Sequence, residues 1–108
     1  MAVLYGIFGQ RLPVAGVLEN LWIVPVGWFA HVKILVTNRD ATPDVFRLAI
    51  SVGGVGIANS QYIAYDMDIE GNDSVVSTTI EVNAGDVIRV YSLNGTTAFS
   101  VTGIQEDV

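Results

Sequence analysis

The chain has 108 residues, 51% apolar and only 15% charged, with a formal net charge of −6 and no cysteine. That length suits one domain, which can bury roughly 65% of the surface its unfolded form exposes without covalent staples. The acidic balance argues against a nucleic-acid surface, which needs clustered Lys and Arg, and the lack of cysteine excludes disulfides and thiolate metal sites.

Residues 1–16 open the chain with large apolar side chains broken by Gly6, Gly9, Pro13 and Gly16. They do not alternate cleanly. Two readings stand: a first strand of the domain, or an arm that packs Tyr5, Ile7 and Phe8 on a neighbouring subunit. Met1 to Phe8 lacks a basic segment and Gly9-Gln10-Arg11 interrupts it, so no cleaved signal peptide is expected. No apolar run approaches the roughly 18 residues of a membrane-spanning helix.

No helix is expected in residues 17–108, which read as a β-sandwich domain. Leu18 to Val24 is a strand, closed by Pro25-Val26-Gly27, where Pro presets a turn. Phe29 to Thr37 is a long strand with Ala30, Val32, Ile34 and Val36 on one face. A polar loop, Asn38 to Asp44, holds Arg39, Asp40 and Asp44 close enough in sequence to pair. Val45 to Val52 places Phe46, Leu48, Ile50 and Val52 inward, and Gly53-Gly54-Val55-Gly56 ends it.

Tyr62 to Glu70 alternates Ile63, Tyr65, Met67 and Ile69 against Ala64, Asp66, Asp68 and Glu70. This predicts a half-buried strand with an acidic outer face. Ser74 to Val82 reads as one strand. Val87 to Leu93 and Ala98 to Ile104 read as a terminal hairpin around Asn94-Gly95, a pair suited to a type I′ turn. Short strands at this spacing predict an all-β antiparallel sandwich, jelly-roll or Ig-like, of seven to eight strands. Asn72-Asp73-Ser74 and Asn94-Gly95-Thr96 match glycosylation sequons and are read as turns.

The candidate chemistry is thin. Asp66, Asp68, Glu70 and Gly71 fall at EF-hand spacing, but the twelfth position is Ser77 rather than a bidentate Glu, and the flanks are β. His31 is the only histidine, and no nucleophile elbow accompanies it. Gly54-Val55-Gly56 is followed by Asn59 and a strand, so a pyrophosphate would find no helix N-terminus. We therefore expect no enzyme, no metal and no cofactor. Trp22, Trp28 and Phe29 flank the first turn as core or rim packing, as interface anchors, or as a carbohydrate platform.

The order of motifs carries a resemblance. Gly9-Gln10 is followed by Leu21-Trp22-Ile23-Val24-Pro25-Val26-Gly27, then Thr37-Asn38-Arg39-Asp40-Ala41-Thr42-Pro43 and Phe46-Arg47-Leu48-Ala49-Ile50. Ala58-Asn59-Ser60-Gln61-Tyr62-Ile63-Ala64-Tyr65-Asp66, Ile69-Glu70-Gly71-Asn72-Asp73 and Ala84-Gly85-Asp86-Val87-Ile88-Arg89-Val90-Tyr91 complete the series. Together these resemble a family of small virion structural proteins of tailed bacteriophages, over residues 9–104. The chain departs from that pattern in having Thr37 where the family often has Cys before Asn, and in closing with Phe99-Ser100-Val101-Thr102-Gly103.

The resemblance implies a β-sandwich component of a virus particle. The apolar excess points the same way, since a small monomer has little interior in which to hide such surface. The expected role is a capsid decoration (cement) protein in the virion. It would bind the major capsid protein or other virion proteins, as a homo-oligomer, with no nucleic-acid or membrane partner. The alternatives are a tail, collar or baseplate accessory protein and a receptor- or glycan-binding module. The interface candidates are Tyr5, Ile7, Phe8, Trp22, Trp28, Phe29 and Arg39.

Overall fold

The computed structural model describes residues 2–107. It has nine strands: β1 (Val3–Arg11), β2 (Glu19–Ile23), β3 (Trp28–Asn38), β4 (Asp44–Ser51), β5 (Tyr62–Ile69), β6 (Ser74–Val76), β7 (Ile80–Asn83), β8 (Val87–Ser92) and β9 (Thr97–Asp107). One sheet runs β1-β9-β3-β6, with β7 also on β3; the other runs β2-β8-β4-β5. All pairings are antiparallel. The expected all-β sandwich is therefore present. Among the described residues no helix is long and apolar enough to cross a membrane.

The period-2 pattern decides the core. Ala30, Val32, Ile34 and Val36 of β3 are buried together with Phe99 and Val101 of β9, facing Phe46, Leu48, Ile88 and Val90 of the second sheet. Phe46 and Phe99 meet edge to face at 6.2 Å. Each of these side chains other than Ala30 contributes about 1.5–3 kcal/mol on burial.

Val52, expected inward, lies exposed in the turn that follows β4, and three further expectations fail, each for a nonlocal reason. The single strand expected over Ser74 to Val82 is two. From Val76 to Ile80 the chain takes four steps while β3 takes three, from Leu35 to Val32. The extra residue is absorbed at Ser77, whose N–H donates to Ile34 O while its Oγ accepts from Ile34 N–H. The expected terminal hairpin does not form. β8 and β9 lie in different sheets, so Asn94-Gly95 carries the chain across the sandwich rather than back along it.

The third failure is β5. Between Met67 and Ala64 it takes three steps while β4 takes two, from Phe46 to Leu48. Asp66 sits in this bulge with φ of +50°. Alternation is thereby lost: Met67 and Ala64 share the inner face with Phe46 and Leu48, while Tyr65 turns out onto Arg47. Ile63, Tyr65 and Met67 are each about half exposed, so only Ile69 of the expected apolar face is core.

A polar plug closes one end of the sandwich. Asp44 is buried and accepts hydrogen bonds from Ser92 Oγ, from Thr97 Oγ1 at 2.6 Å and from Asn94 N–H at 2.9 Å. Asn38 Nδ2 donates to Thr42 O at 2.8 Å, and Thr96 Oγ1 donates to Asn38 Oδ1 at 3.0 Å. Burial pushes the Asp44 pKa up, but the hydrogen bonds from Ser92, Thr97 and Asn94 outweigh it and leave the carboxyl below its ordinary value. Asp44 is thus a structural anion between the sheets. The expected pairing with Arg39 is absent: no carboxylate of the described residues lies within 4 Å of Arg39.

The two flanks differ. Between β1 and β2, the Phe8 and Trp22 rings stack at 5.0 Å and close the seam. Between β5 and β6 the sheets stay apart, leaving an open crevice of about 270 Å³. Val36, Phe46 and Leu48 line its core side, and Ile63, Met67, Val75 and Val76 line its edges.

Candidate interaction surface

Cross-strand register partners share a face of a sheet. The register therefore assembles the outer face of the first sheet in rows. Val3, Glu106, Phe29 and Asn83 form one row; Tyr5, Ile104, His31 and Glu81 the next; Ile7, Thr102 and Lys33 the third. Tyr5 is 76% exposed and Ile7 56%. The apolar members, Val3, Tyr5, Ile7, Ile104 and Phe29, run across three strands.

Among the described residues nothing covers the first half of β1, which is exposed. Leu4, on the inner side of the strand, is also about half exposed. Gly103, opposite Gly6, is held at φ of +154°, and a Cβ there would run into the His31 carbonyl oxygen. That glycine lets β3 and β9 approach closely beneath the patch.

His31 lies at the centre, with Nδ1 3.5 Å from Glu81 Oε1 and Nε2 3.9 Å from Glu106 Oε2. The Phe29 ring meets it edge-on at 5.9 Å. Its two nitrogens face different carboxylates, a surface charge arrangement. Among the described residues no three His, Cys, Asp or Glu side chains are placed to hold a metal ion.

The structure brings together Tyr5, Ile7 and Phe29 of the expected interface residues, and it scatters the others. Phe8 and Trp22 spend their ring faces on each other in the β1–β2 seam, where Gly9 lets the strands approach: a Cβ on it would lie 2.6 Å from Leu21 O. Trp28 turns inward and packs, half-buried, on the core. Arg39 follows β3 at the end opposite Trp28, beside Asp40 and Thr96. No flat aromatic platform results. Sequence reasoning missed Ile104, which it read only as the end of a terminal hairpin strand, and the crevice residues Met67, Val75 and Val76. The signal for the last two was two adjacent apolar residues, which no period-2 strand can bury on one face.

The acidic strand also finds other uses. The Asp66 carboxylate accepts from Arg47 Nε at 2.6 Å, and the Arg47 guanidinium lies between the Tyr65 and Tyr91 rings at 4.3 and 4.4 Å. The hydrogen bond to Asp66 raises the Arg47 pKa further. Asp68 instead lines the crevice. The carboxylates diverge rather than converge on a cation. At the β1–β2 flank, Glu19 accepts from Val14 N–H at 2.6 Å and from Arg11 at 2.5 Å, which together lower its pKa.

No family model matches the chain, and no curated protein does. Among solved structures the chain is similar to a pentameric capsid protein isolated from metagenomic phage sequences. The identity is 16% and the TM-score 0.42, over 95% of this chain and 62% of that one. A second crystal structure with that description, solved by iodide phasing, gives 14% identity and a TM-score of 0.40, over 95% and 63%. The chain thus spans less than two thirds of the length of these structures.

Proposed function

We propose that the chain is a non-enzymatic structural protein of a tailed-phage virion, a decoration protein that binds the outer capsid surface and stabilises the particle. The observation that carries this reading is the apolar outer face built on β1, with Tyr5 and Ile7 more than half exposed. Surface of that kind gains free energy only when a partner covers it. The ordered motif series from Gly9 to Ile104 supports the same reading. So does the topology: with β6 and β7 counted as one strand, the two sheets have the order of an eight-stranded jelly roll, an architecture used by viral capsid domains.

The partners are the major capsid protein or other virion proteins, and further copies of the chain. Tyr5, Ile7 and Phe29 are the contact residues; Phe8, Trp22 and Trp28 support them from the seam and the core. Quantitative mass spectrometry of purified particles tests the role. A copy number comparable with that of the capsid protein is expected. A few copies per particle would place the chain in the tail, collar or baseplate instead. Tyr5→Asp is expected to abolish incorporation while leaving the domain folded.

A further inference from the structure

The crevice between β5 and β6 stays open in the isolated chain. It is an apolar recess on the flank opposite β1, with Ile63 48%, Met67 50% and Val76 58% exposed. Its volume, about 270 Å³, lies below the range of small-molecule pockets, which begins at about 300 Å³. It is also open along one side. Such a shape suits a few side chains from a protein strand better than an enclosed ligand.

We infer that the crevice receives the β1 edge of a second copy of this chain. The inference rests on the reading of the chain as an assembly subunit and names the contact that assembly uses. Three observations select this occupant. The exposed apolar face of β1 and the apolar recess lie on opposite flanks of one molecule, at the two ends of the sheet orders. Both flanks end in strands with an unpaired outer edge, β1 on one side and β5 and β6 on the other, so backbone hydrogen bonds can join them.

Charge gives the third. β5 and the turn after it carry Asp68, Glu70 and Asp73 besides the Arg47-paired Asp66, whereas β1 carries no carboxylate and its Arg11 is paired with Glu19. Two β5 edges placed together would set like charges side by side. Two β1 edges placed together would leave both crevices open. Only the head-to-tail contact covers both surfaces. A contact of that kind repeats from copy to copy and closes into a ring when its rotation allows.

The test is complementation in solution. Ile7→Asp removes the projecting surface and keeps the crevice; Val76→Asp does the reverse. Both sites are more than half exposed, so both variants are expected to fold, which circular dichroism verifies. The unaltered chain is expected to run larger than a dimer by light scattering, each variant alone as a monomer, and the equimolar mixture as a one-to-one dimer. A monomeric unaltered chain at high concentration, or a Val76→Asp chain that keeps the full assembly, would overturn the inference. So would a mixture that stays monomeric.

Because the chain has no cysteine, single cysteines give a second readout that does not depend on charge. Ile7→Cys mixed with Val76→Cys is expected to form mixed disulfide dimers in high yield. Preferential linking of Ile7→Cys to itself would instead indicate a symmetric β1 contact and overturn the head-to-tail arrangement. Virion copy number reports separately on the decoration role, so the two ideas can fail independently.

Discussion

At the β1–β2 flank two aromatic rings bridge the sheets, Phe8 stacked on Trp22. At the β5–β6 flank the facing residues are Met67 and Val76, and a crevice stays open between them. The difference does not come from hydrophobicity, since both flanks are rich in exposed apolar side chains. It lies in what spans the sheets: two stacked aromatic rings on one flank and shorter aliphatic side chains on the other. The β1 bulge after Ile7 falls beside Phe8 and Gly9, at the seam that Phe8 and Trp22 close. On the other flank, β5 bulges at Asp66 and β6 ends at Val76. At one flank the sheets are bridged within the chain, and at the other the crevice between them stays open.

What keeps the open flank ordered is the polar plug at its end. Asn38 N–H donates to Asp73 O and Asn72 N–H to Asp40 O, so the turn between β5 and β6 is tied to the loop after β3. The comparison can be broken most severely there. Asp44→Ala orphans the hydroxyls of Ser92 and Thr97 and the amide of Asn94, and is expected to destabilise the fold by about 3 kcal/mol or more. Urea unfolding measures the loss, and hydrogen exchange should show β5 loosening before β2. If β2 loosens first, the plug does not serve the open flank.

Phe8→Ala ranks next. It opens the closed flank by removing a half-buried ring, with an expected loss of about 2 kcal/mol, below the range for fully buried aromatics. A loss under about 0.5 kcal/mol would mean that the seam contributes nothing to stability.

Acid titration sharpens the assignment of Asp44. Its pKa is lowered in the folded chain, so its stabilisation is complete above the ordinary carboxylate value of about 3.9 and is lost as pH falls through the lower folded value. Stability from this group is therefore flat near neutrality and declines only below about pH 4. Asp44→Asn should remove that part of the decline. The smallest effect is expected for Val76→Ala on the open flank: within about 0.5 kcal/mol for the isolated chain, with the consequence confined to assembly.

Much of this could be read from the residues alone. The alternation of Ala30, Val32, Ile34 and Val36, and of Phe46 and Leu48, identified the core because a strand has only two faces and one must be apolar. The apolar opening segment offered Tyr5 and Ile7 as contact residues and the aromatics at the first turn offered Phe29, and the register then gathered them on one face. Trp28 and Arg39 were less legible. A tryptophan beside a turn looks the same in sequence whether it faces the core or a partner, and a loop arginine beside two aspartates looks paired until one of them proves to be buried.

The sequence by itself determined the class of fold, most strand positions and the core, because side-chain period is a local property of the chain. The tertiary structure decided which strands became neighbours and which flank stayed open. Asn94-Gly95 has the chemistry of a hairpin turn, yet it crosses between sheets because Ser92 and Thr97 both bind Asp44, about fifty residues away in sequence. The acidic strand alternates well on paper, yet two extra residues opposite β4 break that alternation, and Tyr65 turns outward onto Arg47. Register depends on both partners of a pair, and no single segment carries it.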